Sequence, residues 1–242
     1  MAVTEQNYRD IADRVYAVED GKEAHTIIKN DTFKSGGDKY QVLKVEDNTD
    51  NGMQAMAVAP VDKDGNVDTS QVVIAYAGTN AGDPKDLETD AQSIGLGRDK
   101  LQMRTGLNSA SVTDSQFRTA QDFAKEVEKE YPKAKITTTG HSLGESLAMY
   151  VALHQGYKNV GFNGPDIHNL LSDKEIKYMQ KHREQFRNYR NPHDGVGNIT
   201  GNETETAIYV DRQNGAISED HSLSEWRFDQ DGNLCYHIIP AS

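Results

Sequence analysis

Gly140-His-Ser142-Leu-Gly144 sets a serine hydroxyl between two residues that carry no side chain. The β-branched run Lys135-Ile-Thr-Thr-Thr precedes it, and the apolar stretch from Ser146 to Leu153 follows it. Strand, tight glycine turn and helix in that order form a nucleophile elbow, a strained turn that lifts a serine oxygen clear of a sheet. Bulky neighbours would clash in such a turn, and the elbow is expected to face solvent.

A serine hydroxyl is a poor nucleophile near neutral pH. Ser142 therefore needs a histidine within hydrogen-bond reach and a carboxylate that fixes that histidine's tautomer. His154, His168, His182, His193, His221 and His237 follow the elbow. His154 and His182 fall within helical patterns and read as surface or packing residues. His221, in Ser218-Glu-Asp-His-Ser222, lies on a polar loop ahead of the last strands, where a base can swing over the carboxyl edge of a sheet. His237, in a strand-like alternation, is its rival. Asp194 ends a strand-to-turn segment, Phe186 to Val196, and suits the orienting acid, with Asp166 as the alternative and Asp220 too close to His221 to reach it easily. An oxyanion needs backbone donors, and the amide of Leu143 and that of Thr79, at the end of the strand Gln71 to Gly78, stand where they would be supplied.

The flanking elements are legible from periodicity. Thr4 caps a helix with Tyr8, Ile11, Ala12, Val15 and Tyr16 on one face, ending near Gly21. Tyr40–Glu46 and Met53–Val61 read as a meander, with Val42, Lys44 and Glu46 set against Leu43 and Val45. Gln71–Gly78 is a continuous apolar strand buried on both faces. Asn80 to Met103, with Ile94, Leu96, Leu101 and Met103 sparsely placed, suits a surface excursion that governs substrate access. A helix with Phe117, Ala120, Phe123, Ala124 and Val127 then leads into the elbow strand, which makes that strand parallel to Gln71–Gly78 through a right-handed crossover. Beyond the elbow helix, which Gly156 stops, come a strand near Asn159–Asn163, a capping box at Ser172 to Glu175, strands at Gln185–Tyr189 and Thr206–Val210, and a closing hairpin of Glu225–Phe228 with Leu234–Ile239. The expected fold is α/β, a mostly parallel doubly wound sheet with antiparallel edge hairpins.

The 242 residues build one domain, 1–242, since no Pro-rich or Gly/Ser-rich linker divides them. A formal charge of −12 argues against nucleic acid and anionic membrane surfaces as partners. One cysteine, Cys235, excludes an intrachain disulfide and reads as a strand residue. No apolar run approaches the roughly 18 residues of a membrane span. The first ten residues lack the charged and apolar regions of a cleaved signal peptide. Asp62-Lys-Asp-Gly-Asn66 and Asp229-Gln-Asp-Gly-Asn233 repeat one pattern, which suits hairpin turns better than calcium loops because the glycine comes too early. No cofactor and no metal is called for.

Taken in order, Val72 to Thr79, Thr138 to Gly144, Asp194-Gly-Val196 and His221 resemble the landmarks of the class 3 lipase family of α/β-hydrolases. The resemblance implies Ser142 as nucleophile, Asp194 as acid, His221 as base and Thr79 with Leu143 as the oxyanion hole. It implies a serine ester hydrolase of lipase or phospholipase A type; an acyltransferase with the same residues and a catalytically inactive binding module are the alternatives. Three positions depart from that pattern: Glu145 where the family has a second glycine, Ala77 where it has arginine, and Gly195 where it has proline. Glu145, near the helix N-terminus, would repel anionic substrate. The acidic segment from Asn80 to Asp90 is also similar to N-terminal lipase domains of bacterial effectors exported by type VII systems. That likeness implies a lipid ester substrate, a secretion partner or immunity protein, and export without a cleavable signal peptide, the alternative being a cytoplasmic protein.

Overall fold

The computed structural model describes residues 2–19, 21, 24–78, 102–104, 110–112, 116–211, 220–235 and 237–238. Thr79 and the whole segment from 80 to 101, which includes Ile94, Leu96 and Leu101, lie outside the described residues.

Among the described residues nine strands form one mixed sheet: β1 (Thr32–Ser35), β2 (Asp38–Asn48), β3 (Met53–Val61), β4 (Gln71–Tyr76), β7 (Lys135–Gly140), β8 (Lys158–Phe162), β9 (Phe186–Arg190), β10 (Ala207–Asp211) and β11 (His237–Ile238). They follow one another across the sheet in chain order. β1 to β4 run antiparallel, β4 to β10 run parallel, and β11 returns antiparallel on β10. A separate two-stranded pair joins β5 (Gln102–Arg104) and β6 (Ala110–Val112). This is the α/β-hydrolase fold, with a parallel centre and antiparallel edges.

Among the described residues the α-helices are α1 (Glu5–Arg14), α2 (Gln116–Glu130), α3 (Leu143–Gln155) and α4 (Asp173–Lys181). Strands that advance in one direction through right-handed crossovers must carry their connecting helices on one face. Phe117, Phe123, Leu147, Met149 and Met179, from α2, α3 and α4, accordingly share one buried cluster. The opposite face is left to α1, whose Tyr8, Ile11 and Ala12 belong to a second cluster. Thr4 caps α1, accepting from the Asn7 amide while the Asn7 side chain accepts from Thr4 N–H.

Two covered faces explain why the central strands are apolar throughout. In β4, Val72, Ile74 and Tyr76 point to one cluster while Val73 and Ala75 point to the other. β3 alternates in the same way, Ala55, Ala57 and Ala59 against Met56 and Val58. In β2 the simple alternation fails. A bulge between Val42 and Lys44 turns Val45 to the face of Val42, with Leu43 on the other.

The three threonines of β7 are buried polar groups, and each finds a partner on the face it meets. Tyr8 donates to Thr137 Oγ1 at 3.1 Å, Thr139 donates to the Tyr8 carbonyl at 3.2 Å, and Thr138 donates to the Ala148 carbonyl at 3.0 Å. The elbow strand is thus bonded to α1 on one side and to α3 on the other. Each bond contributes about 1 kcal/mol net, and an orphaned partner would cost more.

The closing segment departs from the expected hairpin. Leu223–Glu225 is a 3₁₀ turn, Phe228 and Leu234 meet in a single bridge, and β11 pairs with β10 instead. The Asp-Gly loop between Phe228 and Leu234 is tight enough that only one residue pair closes before the chain leaves. Both Asp-Gly loops are held by their leading carboxylate: Asp62 accepts from the amides of Asp64 and Asn66 at 2.9 and 2.8 Å, and Asp229 from those of Asp231 and Asn233 at 2.9 Å each. Cys235 is a free, exposed thiol. Among the described residues no helix is long and apolar enough to cross a membrane.

Candidate active site

β7 ends at Gly140 and α3 begins at Leu143, so the turn has two residues in which to reverse. Ser142 takes φ 58° and ψ −133°, a conformation that side chains rarely adopt. The glycines are required by contact. A Cβ on Gly140 would lie 2.3 Å from the Gly144 carbonyl, and one on Gly144 would lie 2.2 Å from the Tyr76 oxygen. At the end of β4, a Cβ on Gly78 would meet the Tyr16 hydroxyl at 2.6 Å and Ser142 Cβ at 3.1 Å.

The amides of Ser142, Gly144 and Glu145 are committed to the carbonyls of Phe162, His141 and Ser142. Leu143, the first residue of α3, carries an N–H that helical geometry cannot pair. It stands directly after the serine, as an oxyanion donor should. Thr79 follows Gly78 outside the described residues, so only the strand end that leads to it is placed. Ser142 itself is 2 % exposed. The expectation of a solvent-facing elbow is therefore corrected: the turn projects from the sheet edge but is covered.

Asp194 and His221 come together from separate loops. His221 Nδ1 lies 2.9 Å from Asp194 Oδ2, while Asp194 Oδ1 accepts from the Val196 amide at 3.0 Å. The acid is 1 % exposed. Two carboxylate oxygens engaged as acceptors require the ring to donate from Nδ1, which leaves Nε2 as the acceptor nitrogen. Nε2 is buried and has no hydrogen-bond partner among the described residues.

The rival residues sit elsewhere. Asp166 is fully buried, with Oδ1 on the His168 amide at 2.8 Å and Oδ2 on the Thr204 amide and hydroxyl at 3.0 and 2.7 Å. One oxygen is spent on its own loop and the other on the Thr204 loop ahead of β10. His237 is in β11, four strands from β7, or about 19 Å at the usual strand spacing. His154 is an exposed helical residue beside Glu175, and His182 caps the end of α4.

Sequence reasoning missed the groups that seat the histidine loop. Asn163 Nδ2 donates to the Asp220 carbonyl at 3.1 Å, Asn191 Nδ2 donates to Asp220 Oδ1 at 2.8 Å, and Asn163 Oδ1 accepts from the Asn191 amide at 3.0 Å. Asn163 follows Phe162 at the carboxyl end of β8, and Asn191 follows Arg190 at the carboxyl end of β9. Polar residues at that edge were the available signal. His141 is the third contact: its Nε2 lies 2.6 Å from the His221 carbonyl and its Nδ1 lies 3.0 Å from the Tyr16 hydroxyl. Burial, with His221 beside it, holds the His141 ring down to about 3, so it stays neutral across the working range.

Glu145 corrects a further expectation. It is fully buried, with Oε2 accepting from Asn159 Nδ2 at 3.2 Å, and it is not presented to solvent. Its side chain occupies the room left by two glycines, since a Cβ on Gly161 or Gly164 would lie 1.6 Å from Oε2 or 2.4 Å from Cγ. Burial pushes the carboxyl well above the usual range, opposed by Asn159 and by the buried Arg190. Arg190 donates from Nη1 to the Gly201 carbonyl at 2.6 Å and lies in the field of Asp166 and Asp194. Among the described residues no three His, Cys, Asp or Glu side chains gather as a metal site.

A phospholipase-like family, described as the Tle-like phospholipase domain, matches residues 8–208. The chain belongs to that family. Solved structures of similar fold include the Lip2 lipase of Yarrowia lipolytica, 14 % identical with a TM-score of 0.53 over 86 % of this chain and 77 % of that one. A fungal lipase aligns at 14 % identity and a TM-score of 0.54, covering 98 % of this chain and 84 % of its own. A mutant of the Penicillium cyclopium protein MDLA gives 16 %, 0.50, 90 % and 83 % in the same order. No curated protein matches the sequence. Membership in a phospholipase-like family, on a fold shared with lipases, supports acyl-ester hydrolase activity in general.

Proposed function

We propose that the protein is a serine ester hydrolase of lipase or phospholipase A type, in which Ser142 is the nucleophile, His221 the base and Asp194 the orienting acid. His221 Nε2 takes the Ser142 proton as the oxygen attacks the ester carbonyl. The amides of Leu143 and Thr79 receive the oxyanion. His221 then returns the proton to the departing alcohol, leaving an acyl-serine that water hydrolyses by the same steps. Glycerolipid or phospholipid esters are the proposed substrates, and a secreted bacterial effector, met by a secretion partner or immunity protein, is the proposed setting.

The main support is the 2.9 Å contact between His221 and Asp194, with the opposite ring nitrogen buried and unpaired among the described residues, beside a strained serine turn. A binding module has no use for an orphaned imidazole nitrogen, which costs desolvation energy. An acyltransferase would use the same three residues, with another alcohol in place of water.

Fluorophosphonate labelling followed by peptide mapping is the direct test. Modification of Ser142, together with a loss of at least about three orders of magnitude in ester turnover in Ser142→Ala, is the expected result. Normal turnover in the folded variant would reject the chemistry. Mass spectrometry of products from triacylglycerol, phospholipid and short-chain ester panels separates the substrate classes, and acyl transfer to added alcohol separates transferase from hydrolase.

A further inference from the structure

A line of hydrogen bonds runs through the elbow and ends on the backbone of the histidine loop. The His221 carbonyl can only accept, so the proton on the 2.6 Å bond belongs to His141 Nε2. His141 Nδ1 is then bare, and the Tyr16 hydroxyl donates to it at 3.0 Å. Tyr16 in turn accepts from the Gly78 amide at the end of β4. The tautomer of each member is thereby dictated by the next. We infer that Tyr16 and His141 are positioning residues that hold His221 at a fixed offset from Ser142, and this rests on the triad proposed above.

The physical reason lies in chain adjacency. His141 and Ser142 share one peptide unit, so a bond from His141 to the base's own carbonyl ties base and nucleophile to the same piece of backbone. Motion of the elbow then carries both together. Asp194 fixes only the ring's Nδ1, and Asn163 and Asn191 hold the preceding residue. None of those contacts refers the base to the serine. The ring of His141 also lies against that of His221, with centroids 4.6 Å apart, and limits its tilt. Both Tyr16 and His141 are largely buried, so water cannot replace a lost partner cheaply. Tyr16 comes from the 3₁₀ turn Val15–Val18 that follows α1, which gives the N-terminal helix a task in the site besides covering the sheet.

Displacement of a catalytic group by about 1 Å costs about 100-fold in rate. His141→Leu, similar in volume but without a donor, should lower kcat for a soluble short-chain ester by about that factor and leave KM unchanged. Tyr16→Phe, which removes only the hydroxyl, should lower kcat by about tenfold. His141→Gln offers an amide N–H at comparable reach and should recover roughly tenfold over His141→Leu. Titration with fluorophosphonate counts the competent sites, so each kcat refers to folded enzyme. A purely structural role would reduce the fraction of titrated sites while leaving the rate per site intact. Wild-type rates per site in Tyr16→Phe and His141→Gln, with wild type itself labelled at Ser142, would overturn the inference alone. Should His141→Leu fail to fold, the same two variants decide the matter. Absence of labelling in the wild type would overturn the triad, and the inference with it.

Discussion

Asp194 and His221, 27 residues apart in the chain, meet at 2.9 Å because two loops leave the same edge of the sheet. The first follows β9 and the second follows β10, its neighbour. Parallel strands deliver their carboxyl ends to one side, and connections cluster there. Asp194 accepts from His221 with one oxygen and from the Val196 amide with the other, so Gly195 can turn where a proline is not needed. Gly197 completes the fit, since a Cβ there would lie 2.6 Å from Asp194 Oδ2.

Asp194→Asn should keep the fold and lower kcat by about 10⁴, because an amide can present its N–H to the ring and favour the wrong tautomer. Asp166→Asn should not lower the rate per titrated site, although it loosens the Thr204 loop. Steady-state kinetics on a soluble ester checks both, and a loss confined to Asp166→Asn would move the acid to Asp166.

Gly144→Ala and Gly195→Ala should behave oppositely. The new methyl at residue 144 would stand 2.2 Å from a backbone oxygen of the central strand β4, which cannot yield, whereas nothing lies within 4 Å of the position at residue 195. The first should be destabilised by more than about 1–3 kcal/mol and the second should stay within about 0.5 kcal/mol of wild type. Urea denaturation measures the difference.

Ser142→Gly should raise stability while abolishing turnover. The φ of 58° at this residue is strained for serine and free for glycine, and release of such strain is worth about 1 kcal/mol or more. Ser142→Ala keeps the strain and should show no such gain. Equal melting temperatures for the two variants would remove strain from the description of the elbow.

Two buried groups should tilt the pH dependence of stability in opposite senses. His141, held at about 3 against an ordinary 6.5, refuses a proton that the unfolded chain accepts, so its contribution is lost as pH falls from about 6.5 toward 3. Glu145, raised well above 4.5, keeps a proton that the unfolded chain releases, so its contribution is lost as pH rises from about 4.5. Each slope is at most about 1.4 kcal/mol per pH unit. Relative to wild type, Glu145→Gln should gain stability as pH rises above 4.5, and His141→Gln should gain it as pH falls below 6.5. Chemical denaturation from pH 4 to pH 8, compared variant by variant, checks the signs.

The residues around Ser142 declared themselves in the sequence because an elbow is local: its strand, its two glycines and its helix lie within about twenty residues, and each type is demanded by sterics at that spot. Periodicity likewise displayed β4, α1 and α2, whose faces are set by burial. The pairing of Asp194 with His221 was legible as a choice among candidates, since chain order narrows the field but distance selects. Tertiary structure alone decided the rest. Glu145 reads as a surface charge at a helix start, yet Gly161 and Gly164 on and after β8 open a space that draws it inside. The closing hairpin gave way to a pairing between β11 and β10 because a sheet edge offered more hydrogen bonds than a short return. His141, Asn163 and Asn191 carry no motif of their own. They act only because parallel β7, β8 and β9 end side by side, and what lies adjacent across a sheet is fixed by topology and not by proximity in the chain.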